Sequence, residues 1–463
     1  TPLYSSAASD VYKRQGYIGR DFRGLGDFAH LAETSSRATW HPNSILHAYP
    51  PGREGRGRWP AESGAPGASA KTGTLPGLMP TRKTTQTTAD AEIAGELGNL
   101  RDSIDVVDRE ILDALNRRAA LVREVGAVKE RSADSPVYVA SRERDLVAQL
   151  ASNNPGPFPD AGIPHVFREI ISATRSLEER VSVAYLGPDG TFSHQAALAQ
   201  FGSQVDLVPV AQMRDVFSAA ERGEVHFGVI PVENSIEGAI NPTMDALMES
   251  EVLVCGEVMI EVEQNLLSQT GELDQVRTVA SIPQAVAQCR DWLGVKLPLC
   301  EVRDTPSTAA AAQLAASDPS VAAIGSAVAA EAYSLRFVAR AIEDQRGNTT
   351  RFVVVGRDTP EPSGNDLTFA AFTVRRDQSG ALFNLLKPFA DNGVNLTAVQ
   401  SRPMKGKPWE YVFFIDMEGH ETEAAVARAL DEAAAYAHSH KVLGSFPRAL
   451  ESGRSRPKRR GAE

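Results

Sequence analysis

Cysteine is scarce in this sequence. Three residues among 463, Cys255, Cys289 and Cys300, are too few and too widely spaced for a disulfide framework or a zinc site. That scarcity suits a reducing compartment, so a cytoplasmic location is expected. No apolar run approaches the roughly 20 residues needed to span a bilayer, and no secretory signal is visible. A basic excess is missing too. The 59 acidic and 48 basic residues leave a net charge of −11, which argues against a nucleic-acid or membrane-surface role. The one basic cluster, Arg454 to Arg460, closes the chain and reads as a solvated tail, with 450–463 expected to be disordered.

Hydrophobic residues make up 42% and charged residues 23%, so the chain is expected to fold as ordinary globular domains. Its length suggests two to four of them. Residues 1–92 stand apart, with no sustained apolar periodicity and much Gly, Pro, Ser, Thr and Arg, as in the run Pro50 to Arg58. Such a stretch buries too little surface to offset its ordering entropy. It is expected to be a disordered or artefactual extension. The opening run Thr1 to Gln15 resembles translated sequencing-adapter text, and Met79, the first Met, is the expected natural start.

From Ala91 to about Arg131 the pattern is helical, with no Pro and few Gly. At 100° per residue, Ile104, Val107, Ile111, Leu115, Val122 and Val125 fall within about 60° of Arg118, and Lys129 within about 20°. Two cations therefore stand in an apolar stripe that is expected to be buried, about 16 Å apart along the axis. A buried cation without a partner is costly. Either internal salt bridges or an anion site inside a helix bundle must satisfy these two. Two more helical segments follow, Ser141–Ala151 with Arg142 and Glu143, and Ile163–Arg180 with Thr174 and Glu178 four apart on one face.

On these residues, 93–180 resembles the all-helical chorismate mutase domain, a three-helix unit that forms an intertwined dimer. The resemblance implies that Arg118, Lys129, Arg142, Glu143, Thr174 and Glu178 line the site. Arg101, about 100° off the stripe, is implied to serve the partner protomer's site. Chorismate is a dicarboxylate that rearranges pericyclically, so no nucleophile is needed. The enzyme must clamp carboxylates and stabilise charge on the breaking ether oxygen. Lys129 and Glu178 are the expected donors to that oxygen. A Glu donates only when protonated, and some relatives carry Gln there, so mutase activity is expected to favour acid. Val139 stands where some relatives have a polar residue.

After Val181 strands and helices alternate, which predicts α/β architecture with polar residues gathered at strand C-termini and helix N-termini. Val181–Leu186 reads as a strand, followed by a Gly187–Gly190 turn and a helix capped by Thr191 and Ser193. Phe227–Val232 reads as a buried strand leading into Glu233-Asn234-Ser235. Each polar run alone is no more than a cap or a turn. Together, Tyr185–Ser193, Pro231–Gly238, Pro283-Gln284-Ala285, Ser307-Thr308-Ala309 and Asn348-Thr349-Thr350-Arg351-Phe352 resemble prephenate dehydratase, over 181–358. The family has two α/β lobes with the site between them. Prephenate there loses carbon dioxide and its ring hydroxyl, and aromatises to phenylpyruvate. The resemblance makes Thr350 catalytic within a hydrogen-bond network, and Arg351 the ligand of a substrate carboxylate. Thr191, Ser193, Glu233, Asn234 and Ser235 are implied as further lining. The chemistry asks for no cofactor, and no metal site is expected.

Beyond a linker at Thr359–Asn365, the expected order over 366–449 is βαββαβ, a ferredoxin-like α+β fold. Gly380-Ala381-Leu382 and Gln400-Ser401-Arg402-Pro403 resemble the two ligand motifs of phenylalanine-sensing ACT domains. The usual Glu of the second motif is Gln400 here. The resemblance implies that phenylalanine binds between protomers and inhibits the dehydratase. The chain is thus expected to be a multidomain, bifunctional enzyme of phenylalanine biosynthesis and a homodimer or higher homo-oligomer. A dehydratase with a degenerate helical dimerisation domain is the main alternative, and a two-lobed solute-binding or sensing protein is the other.

Overall fold

The computed structural model describes residues 84–129, 131, 138, 140–374, 379–404 and 410–449, with side chains from Ile93 onward. The expected start at Met79, Val139 and the basic tail lie outside the described residues. Among them, no helix is long and apolar enough to cross a membrane.

Three helices come first: α1 (Thr84–Lys129), α2 (Ala140–Ser152) and α3 (Ile163–Arg175). At 1.5 Å per residue α1 is about 69 Å long, whereas α2 and α3 are about 20 Å each. The short pair therefore covers only one end of the long helix. Leu115, Arg118, Val122, Gly126 and Lys129 are half-buried there. The expectation of a buried stripe fails over the rest of it: Ile104, Val107 and Ile111 are 58%, 51% and 52% exposed. Among the described residues there is no second layer to lie on them.

The middle segment builds two sheets. Lobe one comprises β1 (Ser182–Leu186), α4 (Phe192–Phe201), β2 (Asp206–Val210), α5 (Met213–Glu221), β3 (Phe227–Asn234), β4 (Gly238–Ala239), α6 (Asn241–Glu249) and β5 (Leu253–Glu261). Lobe two comprises β6 (Asn265–Ser268), β7 (Thr278–Ser281), α7 (Pro283–Gln288), α8 (Arg290–Lys296), β8 (Glu301–Asp304), α9 (Thr308–Ser317), β9 (Val321–Gly325), α10 (Ala327–Ala332) and β10 (Arg336–Ala339). The chain then returns to lobe one as β11 (Thr349–Gly356), giving the orders β2-β1-β3-β11-β5 and β10-β6-β9-β7-β8. β1 runs parallel to β2 and β3, while β11 lies antiparallel between β3 and β5. The lobes meet at the turn before α4, where Ser326 Oγ donates to Gly190 O and Tyr333 Oη to Asp189 O, both at 2.8 Å. Gly190 has φ +82°, and a Cβ on it would stand 2.9 Å from the Tyr333 ring and 3.1 Å from Ala329 Cα. Only glycine suits that contact.

The last segment is β12 (Asp366–Val374), α11 (Ala381–Asp391), β13 (Leu396–Pro403), β14 (Tyr411–Glu418), α12 (Ala424–Ala434) and β15 (Ser439–Pro447), in the antiparallel sheet order β13-β14-β12-β15. This is the ferredoxin-like order. All nine residues of β12 are buried, because both faces of the sheet are covered. One face packs Phe372 and Ile415 against Leu385, Phe389 and Leu430 of the helices. The other packs Phe369, Phe414 and Phe446 against Val254, Val353 and Val355 of lobe one, a single core across two sheets.

Candidate active sites

The helical segment brings together five of the seven residues expected of it. Arg118 Nη1 donates to Thr174 Oγ1, and Lys129 Nζ lies 3.2 Å from Glu178 Oε2. Glu178 is not on α3, as expected from its spacing. That helix ends at Arg175, and Glu178 sits in the turns beyond. It reaches α1 because Gly126 leaves room; a Cβ there would lie 3.2 Å from Glu178 Cγ. Glu143 is held at 2.8 Å by Arg175, a buried cation outside the expected set that also donates to Phe201 O at 2.9 Å. Burial pushes the Glu143 carboxyl upward in pKa, while Arg175, Arg118 and Lys129 pull it down. Burial lowers the Arg118 pKa, with Glu143 opposing. Arg101 and Arg142 are exposed. Seventeen residues put Arg101 about 25 Å along the axis from Arg118, too far for one site.

The second site lies where β3 meets β11. Asn234 Oδ1 accepts from the N–H groups of Ile236 and Glu237 at 3.0 and 3.1 Å, which fixes the turn after β3. Its amide is thereby aimed across the ladder, donating to Asn348 Oδ1 at 2.8 Å and Thr350 Oγ1 at 2.9 Å. Ser235 Oγ donates to Asn348 Oδ1 at 3.3 Å and accepts from Thr349 N at 2.9 Å. Asn348, buried just ahead of β11, belongs in this network although it was not among the expected lining, and its place in the motif with Thr350 was the signal for it. Thr350 accepts from Asn234, so its own O–H is the end left to offer.

Thr191 caps α4, accepting from His194 N at 3.2 Å and donating to Leu186 O at 3.1 Å; Ser193 is buried inside the helix and does not cap it. His194 Nδ1 accepts from Gly190 N at 3.0 Å, and its ring stacks on Tyr185, whose hydroxyl donates to Asp189. Burial lowers the His194 pKa, against Asp189 and Glu331.

Two expectations for this site are corrected. Arg351 was expected to meet a substrate carboxylate, but its guanidinium is bound to Glu257 and Asp416. Successive strand residues point to opposite faces, so Arg351, which faces the C-terminal sheet, points away from Thr350 and its network. Glu233 pairs with Arg351 in the ladder as Asn234 pairs with Thr350, which puts Glu233 on the Arg351 face.

In the C-terminal domain, Gly380 caps α11 at φ +78°, Ala381 is half-buried and Leu382 is 39% exposed. Gln400, Ser401, Arg402 and Pro403 lie on the outer strand β13. Gln400 Oε1 is buried with no hydrogen-bond partner among the described residues. Arg402 reaches α6, with Asn241 O at 2.6 Å and Asp245 Oδ1 at 2.7 Å.

The fold and these sites define a multidomain enzyme, with one charged site in a helical unit, one hydroxyl-amide site in a two-lobed α/β unit, and an ACT-like domain behind it. Family models match in the same order: Chorismate mutase type II over 100–179, Prephenate dehydratase over 183–360 and ACT domain over 371–435. The chain belongs to the bifunctional chorismate mutase/prephenate dehydratase family. It is 44% identical over 359 residues to the enzyme of that name from Aquifex aeolicus, covering 77% of this chain and 99% of the relative. The corresponding Stutzerimonas stutzeri enzyme is 39% identical over 362 residues, with 77% and 99% covered. A solved prephenate dehydratase from Arthrobacter aurescens, in complex with L-Phe, is 31% identical with a TM-score of 0.54, covering 58% of this chain and 90% of that one.

Proposed function

We propose that residues 93–180 convert chorismate to prephenate, that 181–358 convert prephenate to phenylpyruvate, and that 366–449 bind phenylalanine to restrain the second step. The observation that carries this is the Asn234–Asn348–Thr350 network, in which Thr350 Oγ1 accepts from Asn234 and keeps its own O–H to donate. Prephenate's ring hydroxyl leaves as water once it gains a proton. The electrons of the broken carboxyl bond complete the ring as carbon dioxide departs, so the electron balance closes without a redox partner. Thr350 hydrogen-bonds the leaving hydroxyl and Asn234 holds Thr350.

In the helical site, Arg118 clamps a substrate carboxylate and Lys129 donates to the ether oxygen. A second copy of the chain covers the exposed face of α1 and supplies Arg101. The three cysteines are free, which suits a reducing cytoplasm. Incubating the pure protein with chorismate, and separately with prephenate, tests both steps. Turnover of prephenate alone selects a dehydratase with a degenerate helical domain, and turnover of neither sinks the proposal. A dehydratase rate indifferent to phenylalanine reduces the C-terminal domain to a structural role.

A further inference from the structure

Arg351 follows Thr350 on β11 and points the other way. Its side chain is 12% exposed and sits between Glu257 of β5, at 2.8 Å, and Asp416 of β14, which are 6% and 5% exposed. Glu257 also accepts the N–H of Ala449 at 2.9 Å, just past β15. The Phe369 ring of β12 lies 5.9 Å from the guanidinium carbon. Burial lowers the Arg351 pKa, and the two carboxylates more than reverse it. A buried cluster of this kind adds little net stability over an apolar one, but losing a single partner is costly, so it fixes geometry.

What it fixes is the start of β11. The β3–β11 ladder shifts register between Arg351 and Phe352. The pairing of Thr350 with Asn234 therefore lies beyond an irregularity on the β3 side, while β11 pairs regularly with β5 from Thr349 to Val354, so contacts at that end help to set how Asn234 meets Thr350.

We propose that Arg351 is a positioning residue for the dehydratase reaction: by joining Glu257 to Asp416 it seats Thr350 against Asn234, and makes that seating answer to β14 of the C-terminal domain. The proposal rests on the reading of the Thr350 cleft as the dehydratase site. A second tether runs alongside. Arg402 of β13 holds Asn241 and Asp245 of α6, and α6 follows β4, whose Gly238 pairs with Asn234. β13 and β14 are neighbours, with Ala398 opposite Asp416 and Arg402 opposite Val412. A movement of these two strands thus reaches the Asn234–Thr350 pair from both sides. A ligand at Gln400–Pro403 alters the dehydratase to the extent that it binds the two strand positions unequally.

The test uses the full chain. Prephenate kcat and KM, with and without phenylalanine, are measured for wild type, Asp416→Asn, Asp416→Glu, Arg351→Met and Thr350→Ala. Asp416 lies on the far side of the sheet from the cleft. Asp416→Asn is expected to lower kcat about tenfold with KM changed less than about twofold, and to blunt the phenylalanine response. Asp416→Glu restores most of kcat. Wild-type kcat in Asp416→Asn, or a raised KM with intact kcat in Arg351→Met, overturns the positioning role. A lower kcat with an undiminished phenylalanine response, or a wild type indifferent to phenylalanine, overturns the link to β14. Thr350→Ala that still turns over prephenate sinks the dehydratase reading of the cleft instead. Should a thermal melt show Asp416→Asn unfolded, Arg351→Lys, which keeps the charge but not the fork, is expected to show the same split of kcat from KM. Wild-type kcat in that variant overturns the role.

Discussion

Asn234 and Thr350 face each other in the β3–β11 ladder, and the amide of the first donates to the hydroxyl of the second at 2.9 Å. The turn after β3 occupies the carbonyl end of Asn234, so the amide cannot flip without losing two further hydrogen bonds. Removing Thr350 deletes the hydroxyl, and removing Asn234 frees it to rotate. Thr350→Ala and Asn234→Ala are each expected to lower prephenate turnover by about a hundredfold or more. Chorismate turnover in the same preparations should hold, since the helical site shares no residue with this one. Equal prephenate rates in wild type and Thr350→Ala would discard the assignment.

Much of this was legible beforehand, because the signals were periodic or ordered. Helical spacing located α1 and its two cations, and the order of strands and helices gave the α/β architecture and the ferredoxin-like sheet, while the two lobes came from the family resemblance. The motif around Thr350 located the network, but the motif also misled at Arg351. Arg351 was expected to bind a substrate carboxylate beside Thr350, although a strand turns adjacent residues to opposite faces. Arg175 escaped notice because nothing near it in the sequence marks it as buried. Its burial depends on Phe201, 26 residues on. The shared core of lobe one and the last domain was also hidden, since the linker suggests separable units. Yet the run Leu367 to Val374 lacks alternating charged residues, which is how a strand covered on both faces reads.

Arg175 offers a stability test. Its side chain is 7% exposed, holds Glu143 at 2.8 Å and lies 4.9 Å from the centre of the Tyr138 ring. Arg175→Met keeps the volume but strands the Glu143 carboxylate and the Phe201 carbonyl. A loss of about 3 kcal/mol is expected in denaturant unfolding. Mutase turnover should fall with it, because Glu143 lies within the field of Arg118 and Lys129. An unfolding midpoint equal to wild type would show that the pair is not part of the fold's support.

Gly444 tests the union of lobe one with the C-terminal sheet. It lies in β15 at φ +150°, and a Cβ there would stand 2.1 Å from Val254 O and 2.8 Å from Val254 N. Both are backbone atoms of β5, which cannot swing aside as a side chain would. Gly444→Ala should therefore part the two sheets or strain them, at a cost of about 3 kcal/mol or more. Prephenate turnover is expected to drop with stability, while chorismate turnover below the melting point is spared. A fully stable variant would mean that β15 and β5 do not approach this closely.

Lys129 and Glu178 set the last expectation. With no substrate present, Lys129 Nζ donates to Glu178 Oε2 at 3.2 Å, and the two are 30% and 12% exposed. An ether oxygen entering between them accepts from the Lys129 ammonium. From Glu178 it accepts only when the carboxyl holds a proton. Ionised, the same carboxylate competes with the substrate for Lys129 and repels the charge growing on the oxygen. Mutase turnover is therefore expected to fall as pH rises. Glu178→Gln keeps the shape and carries a permanent N–H donor, so its profile should be flat over the same range and its rate above wild type at the alkaline end. Chorismate consumption across pH in the two proteins decides it. Parallel profiles would remove Glu178 from the reaction and leave Lys129 as the ether donor.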